Sequence, residues 1–385
     1  MNAGELLRPW LEASAAGLED VEPFDTHTHT GFNDPDGMSA SVDELVELLD
    51  VVGARAVFFP MHEPDGYPPA NDRVLEEAAR YPGRLVPFCR VDPNDDAPAE
   101  ARRALDAGAR GIKLHPRAER FTLDHPQVGE LFEVAEARRV PILIHAGRGI
   151  PALGRHVVEH ASRHPGANAI LAHAGICDLG WIWRRAAELP NLFFDTAWWS
   201  PADLIALFSL VPPGQILYGS DAPYGRPMLS LTLALRCARQ AGLGEEQLAS
   251  VLGGQLERIL AGEPGRDLGE APGGQSTETD LLLDRVASPL VFAMGAVFSG
   301  VERVAVESMA LARLACEVGD DAPQAEVCRS VLAALALIDR LGGPAELRRG
   351  RPALAALLLA LCVARTPNAP LPPEPEAVDV SERAA

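Results

Sequence analysis

Short apolar runs alternate with amphipathic stretches along residues 21–262, and this alternation is the main pattern of the chain. Each run is followed by a polar or Gly/Pro-containing loop and then by a segment with helical spacing. Eight runs can be distinguished: 21–29, 54–60, 84–93, 110–116, 140–147, 168–175, 191–198 and 215–223. Continuous apolar strands that alternate with helices are typical of parallel strands covered by helices. Eight units in about 240 residues predict an α/β fold, a (β/α)₈ TIM barrel.

The helical segments carry recognisable start and stop signals. Ser41 and Glu44 form a predicted capping box before leucines and valines at three- and four-residue spacing, and Gly53 ends the pattern. A doubly wound open sheet is the alternative fold, but it normally has a glycine-rich phosphate loop after its first strand. The segment 25–34, DTHTHTGFND, is not such a loop, so the barrel is favoured.

Shifts in composition divide the rest of the chain. We predict an N-terminal extension over 1–20, the catalytic barrel over 21–262 and a Gly/Pro-rich linker over 263–279. Residues 280–365 are rich in Ala, Leu and Val at helical spacing, which predicts a small all-α bundle of three or four helices. The final stretch, 366–385, is acidic and Pro-rich and is predicted to be disordered.

The overall composition excludes several classes of protein. Of the 385 residues, 47% are hydrophobic, enough for a large core, and the formal net charge is −20. A surface this acidic repels phosphate backbones and anionic lipid headgroups, so no nucleic-acid or membrane partner is expected. The six cysteines form no C-x-x-C pair, and the acidic N-terminus lacks the features of a signal peptide. We therefore expect a cytoplasmic protein with free thiols.

Side chains that can bind metals collect at the ends of the predicted strands. They are, in chain order, His27, His29, His115, His145, His173 and Asp221. In a barrel of this type the carboxyl ends of the strands meet at one mouth, where active sites are built. Two histidines two residues apart also share one face of a strand and can hold one ion. Taken together, these positions predict a metal site.

Five motifs in this order resemble the amidohydrolase superfamily over about residues 21–262. They are DTHTH at 25–29, GIKLHP at 111–116, IHAG at 144–147, AHAG at 172–175 and YGSDAP at 218–223. The chain is most similar to the amidohydrolase-related branch, which includes aminocarboxymuconate-semialdehyde decarboxylase and many TIM-barrel metal-dependent hydrolases. The branch more often has Asn at the position of Gln255. Nothing after residue 262 resembles the core of the family.

The resemblance implies a role for several of these residues. His27, His29, His145 and Asp221 would bind one divalent ion, and His173 would act as a general base or polarise the bound species. Asp221 would alternatively transfer a proton with only weak metal contact. Three neutral imidazoles and one carboxylate leave a net positive site that can lower the pKa of bound water. Zn²⁺ fits this imidazole-rich set, with Mn²⁺ or Fe²⁺ as alternatives.

Lys113 is the only lysine of the chain and shares a strand face with His115, two residues further on. Either residue could face the mouth as a second-metal or substrate ligand. Three interpretations of Lys113 are open. It could be carboxylated and bridge two metals, as in the binuclear branches of the superfamily, or it could be structural. It could also remain a cationic amine that binds a substrate carboxylate, the interpretation we favour.

Four further residues are weaker candidates for substrate binding. His62 lies in a Pro/Gly-rich loop after the second strand. Arg117 and Arg148 follow the fourth and fifth strands and could hold an anionic substrate. Trp198 ends the seventh strand and could wall an apolar or aromatic pocket. A solvated loop position explains His62 better, surface charge explains Arg117 and Arg148 better, and packing against the neighbouring loop explains Trp198 equally well.

These observations favour an enzyme. We expect a metal-dependent hydrolase that uses a metal-activated water on a carbonyl-type small-molecule substrate, with His173 moving the proton. The alternative is a lyase, a non-oxidative decarboxylase or hydratase acting on a small carboxylic acid. A second alternative is a catalytically silent scaffold barrel. The Ala/Leu-rich helices of 280–365 also predict homo-oligomerisation or partner docking, because a small bundle covers only part of their apolar faces.

Overall fold

Parallel strands and helices alternate through the computed structural model, which describes residues 3–35, 37–274, 280–347 and 352–373. The strands are β1 (Phe24–Thr30), β2 (Arg55–Pro60), β3 (Leu85–Pro87), β4 (Cys89–Arg90), β5 (Ile112–Leu114), β6 (Ile142–Ile144), β7 (Ala169–Leu171), β8 (Leu192–Asp195) and β9 (Ile216–Leu217). Phe88, between β3 and β4, donates its backbone N–H to the carbonyl of Phe58 at 2.9 Å. β3 and β4 are therefore two halves of one barrel strand, and each of the eight predicted runs contains a strand.

Neighbouring strands pair in parallel, in the orders β1-β2-β3 and β4-β5-β6-β7-β8-β9. β1, at the edge of the first sheet, meets the chain that follows β9, at the edge of the second sheet, through backbone hydrogen bonds. Thr26 donates to the carbonyl of Tyr218 at 2.9 Å, and His29 donates to that of Ala222 at 2.8 Å. Asp221 in turn donates to the carbonyl of His27 at 2.8 Å. These bonds join β1 to the chain after β9, and the predicted TIM barrel is confirmed.

The helices of the barrel region begin and end close to their predicted signals. They are α2 (Val42–Asp50), α3 (Pro68–Arg80), α4 (Ala97–Asp106), α5 (Pro126–Arg138), α6 (Leu153–Arg163), α7 (Leu179–Ala186), α8 (Pro201–Leu210), α9 (Pro227–Gln240), α10 (Glu245–Ala249) and α11 (Gln255–Leu260), preceded by α1 (Ala3–Ser14). At α2 the predicted capping box forms, because the Ser41 hydroxyl accepts a hydrogen bond from the backbone N–H of Glu44 at 3.2 Å.

The apolar runs do not alternate with polar residues because both faces of each strand are buried. On β6, Leu143 points into the barrel, whereas Ile142 and Ile144 pack beneath the surrounding helices. Bulky side chains fill the inside of the barrel, among them Phe24, Val57, Phe59, Phe88, Ile170, Phe193 and Leu217. This packing leaves the carboxyl ends of the strands as the place where polar side chains can gather.

In the described part of the chain after the barrel there are four α-helices: α12 (Leu281–Phe298), α13 (Glu302–Ala315), α14 (Ala325–Arg340) and α15 (Pro352–Arg365). The predicted all-α region after the barrel is confirmed. α12 packs against α13 and α15, α14 packs against α15, and α15 packs in turn against α8 and α9. Every residue of α15 from Ala353 to Ala364 is buried. The appended helices therefore share one continuous apolar core with the outside of the barrel.

The pair α12 and α13 presents apolar side chains to the surface. Leu281, Phe292, Leu311 and Leu314 are between 57% and 80% exposed. By length and composition alone α12 could also cross a membrane, a property that it shares with core helices of soluble proteins; 39% of it is buried. Homo-oligomerisation or partner docking through these helices stays a prediction.

Both predicted flanking segments contact the barrel where the structure describes them. In the N-terminal extension, the indole Nε1 of Trp10 donates to the Ser330 hydroxyl of α14 at 2.9 Å, and Arg239 of α9 donates to the carbonyl of Ser14 at 2.7 Å. The predicted linker is described as far as residue 274, and Gly273 donates to the carbonyl of Ser209 at 2.8 Å.

The first residues of the predicted disordered tail pack against α9. Arg236 is fully buried and donates to the Thr366 hydroxyl at 3.0 Å, the Thr366 carbonyl at 3.1 Å and the Pro370 carbonyl at 2.6 Å. A buried guanidinium needs such acceptors, which explains why residues 366–373 follow the barrel surface. Residues 374–385 of the predicted tail lie outside the described residues.

We expect a chain that ends at residue 365 to be less stable than one that ends at residue 373. The shorter chain loses the three acceptors of Arg236, and hydrogen bonds to a charged group contribute about 1.5–3 kcal/mol. Urea denaturation of the two chains at pH 7.5 measures the difference in free energy of unfolding, with the full chain as reference. Equal midpoints for all three chains would contradict the structural role of residues 366–373.

Candidate functional site

Two histidines of β1 lie side by side at the mouth of the barrel. His27 and His29 are 1% and 4% exposed, and their ring centroids are 5.1 Å apart. Their two-residue spacing places both rings on the inner face of the strand, as expected. The hydrogen bonds that join β1 to residues 218–222 bring Asp221 against both rings.

His27, His29 and Asp221 form a group that could hold a metal ion. Oδ1 of Asp221 lies 3.3 Å from Nε2 of His27 and 3.1 Å from Nε2 of His29. The three residues each offer one ligand atom, and these atoms all lie within 4.8 Å of one another. Two imidazole nitrogens and a carboxylate oxygen are donors that suit Zn²⁺ and related divalent cations.

Asp195 orients the ring of His27. Its Oδ2 accepts a hydrogen bond from Nδ1 of His27 at 2.7 Å, while its Oδ1 accepts from the backbone N–H groups of His173 and Ala197 at 2.8 and 3.0 Å. With its proton on Nδ1, His27 has a lone pair on Nε2 that can accept from Nζ of Lys113, 3.3 Å away, or bind a metal. Carboxylates that orient a ligating histidine in this way raise its basicity and fix its tautomer.

Burial keeps the imidazoles of this site neutral. It lowers the pKa of His27 and of His29 well below the usual histidine value, and the nearby Lys113 lowers both further. Burial likewise lowers the pKa of His173. Only a neutral imidazole has a lone pair to give to a metal, so the dry environment favours ligation at neutral pH.

Lys113 reaches the same group of side chains from β5. Its Nζ lies 3.3 Å from Nε2 of His27 and 4.6 Å from the ring centroid of Phe59, and the residue is fully buried. Burial lowers the pKa of Lys113 to about 7, although the carboxylate of Asp195 works in the opposite direction. Burial also raises the pKa of Asp195 to about 7. A basic amine therefore stands beside the possible metal ligands.

His173 lies on the other side of His27, with 5.0 Å between the ring centroids. Its Nδ1 donates to the carbonyl of Ala197 at 2.7 Å, which leaves Nε2 as the nitrogen that can exchange a proton. That Nε2 accepts a hydrogen bond from Nδ1 of His145 at 2.9 Å. The arrangement places the imidazole of His173, the predicted proton-transfer group, next to the three possible ligands.

His145 is not drawn into the group of His27, His29 and Asp221. Its ring stacks on that of His115 at 3.8 Å, and its Nε2 is directed towards Gly147, where a Cβ would come within 2.5 Å. Ligation through Nδ1 would replace its hydrogen bond to His173, whereas Nε2 is buried without a hydrogen-bond partner among the described residues. The predicted role of His145 as a ligand stays a prediction, as does that of His115 as a second-metal or substrate ligand.

Two residues of the site have a left-handed backbone. His173 has a φ of +58° and Asp221 a φ of +61°, a region that residues other than Gly rarely adopt. The bonds from the His173 N–H to Asp195 and from the Asp221 N–H to the carbonyl of His27 hold these conformations. Each costs on the order of 1–3 kcal/mol, and such strain clusters at functional sites.

The weaker candidates lie around the mouth rather than within the group of ligands. The ring of Trp198 is 6.1 Å from that of His173, and the guanidinium of Arg148 lies 5.5 Å above Trp198. Arg117 is exposed on the loop after β5, and His62 is half-buried in the loop after β2. Next to Trp198, the ring of Trp199 lies 5.2 Å from that of Phe298, so α12 of the appended helices reaches the rim of the mouth.

Sequence reasoning missed the acidic residues that support the site. Asp25 is fully buried, and its Oδ1 accepts from the backbone N–H groups of His27 and Ser220 at 3.0 and 2.9 Å. Beside Lys113, Arg90 donates to Glu119 at 2.6 Å, and both residues are buried. The available signal was a charged residue inside an apolar run, which Asp25, Arg90 and Asp195 all provide.

The family model described as Amidohydrolase matches residues 24–255, more than half of the 385 residues. The chain belongs to the amidohydrolase family. The matched region runs from β1 into the start of α11 and contains all the candidate site residues named above except Phe298. The helices α12–α15 lie outside it, so they are an addition to the amidohydrolase barrel. A comparison with curated proteins finds no match to the chain.

Solved structures share this amidohydrolase fold. One is 5-carboxyvanillate decarboxylase from Sphingomonas paucimobilis, with 18% identity and a TM-score of 0.50 over 63% of this chain and 99% of that chain. Another is an uncharacterised TIM-barrel protein from Bordetella bronchiseptica, with 18% identity and a TM-score of 0.51 over the same shares. At this identity the similarity concerns the fold and not the substrate.

We expect Asp195→Asn to weaken metal binding. The amide donor would face Nδ1 of His27 and shift the ring proton to Nε2, where it blocks the lone pair. Loss of such an orienting carboxylate typically costs roughly 10- to 100-fold in metal affinity. Calorimetric titration with Zn²⁺ or Mn²⁺ measures the effect. Asp203→Asn is the matched control, because Asp203 accepts from Trp198 and not from a possible ligand; equal affinities in both variants would contradict this role of Asp195.

We expect the stability of the metal-free protein to rise with pH above 7 relative to Lys113→Met. The pKa of Lys113 is about 7 in the folded protein and near 10.5 in the unfolded chain. Between these values the unfolded chain binds the extra proton, so raising the pH favours folding by up to about 1.4 kcal/mol per pH unit. Urea denaturation at pH 7.5, 8.5 and 9.5 in the presence of chelator tests this. Parallel curves for the two proteins would mean that Lys113 stays protonated when folded.

Proposed function

We propose that this amidohydrolase is a metal-dependent decarboxylase that acts on a small carboxylic acid. The observation that carries the proposal is the fully buried amine of Lys113, 3.3 Å from Nε2 of His27 and next to the possible ligands. A substrate carboxylate brought to this position would form an ion pair with protonated Lys113, and ion pairs are strong in a dry environment. Its negative charge would in turn favour the protonated form of Lys113.

The residues present fit a divalent metal. His27, His29 and Asp221 would hold it, with Zn²⁺, Mn²⁺ or Fe²⁺ as candidates and His145 as a further ligand if its bond to His173 is replaced. Neutral imidazoles with lone pairs, converging with one carboxylate, are the donor set that such ions require. When bound, the metal would polarise a substrate oxygen and stabilise negative charge that develops there.

Lys113 and His173 would carry out the remaining steps. Lys113 holds the carboxylate that leaves and removes it from bulk water. The bond between that carboxylate and the neighbouring carbon breaks, CO₂ departs, and the electron pair stays on the carbon. Nε2 of His173 takes the proton that Nδ1 of His145 donates to it and delivers it to this carbon, and solvent returns a proton to His145, so that one C–H bond replaces one C–C bond. The hydrogen bond from His173 Nδ1 to the carbonyl of Ala197 holds the ring in place for this transfer.

The surroundings of the site favour an aromatic or unsaturated acid. Trp198 and Phe59 flank the site, and Arg148 adds a positive charge at the rim. Cations at the mouth of a strongly acidic protein would guide an anionic substrate to it. A fold shared with 5-carboxyvanillate decarboxylase is consistent with decarboxylation of such an acid.

Hydrolysis is the second candidate, favoured by the hydrogen bond of 2.9 Å between His145 and His173. This pair could pass a proton from a water molecule to a leaving group, as hydrolysis of an ester, amide or lactone requires. The desolvated position of Lys113 has no role in that reaction, which is why we rank it second.

Activity assays distinguish these candidates. We expect CO₂ release from a panel of benzoate-type and muconate-type acids, lost with chelator and restored by Zn²⁺ or Mn²⁺. Lys113→Met and His173→Asn should each lower kcat/KM at least 100-fold, whereas Arg155→Gln on the exposed face of α6 should leave it unchanged. In D₂O the product should carry one deuterium at the carbon that lost CO₂.

Metal-dependent turnover of esters, amides or lactones without CO₂ release would replace decarboxylation by hydrolysis. If neither panel is turned over and the purified protein holds no stoichiometric metal, the interpretation as a catalytically silent barrel would stand.

A further inference from the structure

A groove of about 460 Å³ opens beside the mouth of the barrel, outside the group of possible ligands. It lies between the loop after β5 and residues 149–151, which precede α6. Its lining includes Arg117, Arg120, Thr122 and His125. No acidic residue lines it, although the chain has 54 Asp and Glu against 34 Lys and Arg. The groove is therefore a basic surface on an acidic protein.

The two arginines of this groove have no carboxylate partner among the described residues. Arg117 and Arg120 are exposed and take part in no ion pair there. Arginines of the neighbouring helices α4 and α5 are paired: Arg103 lies 2.6 Å from Asp72, and Arg138 lies 2.6 Å from Asp106. Unpaired guanidinium groups in a concave surface are suited to bind an oxyanion through two parallel hydrogen bonds.

The backbone around the groove also favours the binding of an anion. The groove lies at the amino ends of α5 and α6, where free N–H groups and the helix dipole favour negative charge. α6 has no side chain that caps its first turn. At α5, Nδ1 of His125 accepts from the N–H of Gln127 at 3.3 Å, so Nε2 is the nitrogen left to donate. The carboxylates next to the groove are engaged elsewhere or at its edge: Glu119 accepts from Arg90, Asp124 accepts from the Thr122 hydroxyl, and Asp92 accepts from Asn94. None of the three lines the groove.

Arg120 occupies its place at a conformational cost. Its φ is +56°, where Gly or Asn would be more favourable. Arg120 lines the groove in this conformation, and strain of this kind tends to be kept where it serves a function.

The groove adjoins the candidate site through two stacked histidines. Pro116, the first residue of its loop, directly follows His115, and Gly149 follows His145 by four residues. The rings of His115 and His145 stack at 3.8 Å. A substrate that occupied both places would pass along the two loops that carry this pair, since neither histidine lines the groove itself.

We infer that the groove of Arg117, Arg120 and His125 binds a second acidic group of the substrate, a carboxylate or a phosphate. The inference rests on the proposed function, because the group bound here is the far end of the acid whose other carboxylate lies at Lys113. The substrate class is thereby narrowed to acids with at least two anionic groups. Monocarboxylic acids of similar size would lack the second anchor and would bind more weakly.

Anion binding to the full chain tests this without reference to turnover. Inorganic phosphate, glutarate and butyrate are titrated into chelator-treated protein at low ionic strength and followed by calorimetry. We expect phosphate or glutarate to bind more tightly than butyrate. Arg117→Gln and Arg120→Asn should weaken that binding at least tenfold; Asn is chosen because it accepts the left-handed backbone.

Arg155→Gln is the matched control, because Arg155 is an exposed arginine of α6 outside the groove and its loss changes the net charge equally. Circular dichroism verifies that each variant is folded. Tighter binding of phosphate than glutarate would indicate a phosphorylated acid, and the reverse a dicarboxylic acid. An equal loss of anion affinity in Arg117→Gln, Arg120→Asn and Arg155→Gln would overturn the inference, as would the absence of binding of either phosphate or glutarate.

The two hypotheses can fail separately. Groove-dependent anion binding in a protein that releases no CO₂ would retain the anion site and remove the decarboxylase. If monocarboxylic acids and diacids release CO₂ with the same kcat/KM, and Arg120→Asn leaves that kcat/KM unchanged, the decarboxylase would be retained and the anion site removed.

Discussion

The candidate site depends on the hydrogen bonds between β1 and the chain after β9. They bring His27 and His29 against Asp221, although about 190 residues of sequence separate them. At this contact the backbone of Asp221 is left-handed. Its N–H donates to the carbonyl of His27, which stabilises that conformation. Because the number, tilt and stagger of the strands together fix the size of a closed barrel, the strands between them help to set where these residues meet. The site is thus a property of the whole barrel.

A second constraint is the presence of charges in a dry interior. Lys113, Asp195 and Asp25 are all fully buried, where each isolated charge would be costly. The chain compensates with backbone N–H donors to both carboxylates and with the proximity of Lys113 to Asp195. Groups held in this way titrate near neutral pH, so a small change of partner can move a proton. That property would suit the proposed reaction, in which the site accepts an anion and delivers a proton.

The helices beyond the barrel are part of the same structure. α15 packs on α8 and α9, Trp10 of α1 bonds to Ser330 of α14, and Arg236 of α9 is buried beneath the segment after α15. At the other end of the addition, Phe298 touches Trp199 at the rim of the mouth. The addition therefore supports the barrel from outside and contributes to the border of its opening, whereas the acid-base groups come from the amidohydrolase barrel alone.

The sequence by itself determined the barrel, its helices and the residues at its strand ends, because hydrophobic periodicity and local capping are short-range properties. It also marked Lys113 as unusual. Tertiary structure decided which of these residues meet. His145 turned towards His173 because its ring stacks on His115, and Asp195 proved to orient His27. The pairing of Arg236 with residues 366–370 and the basic groove beside the mouth likewise depend on contacts between segments distant in sequence, which no local pattern encodes.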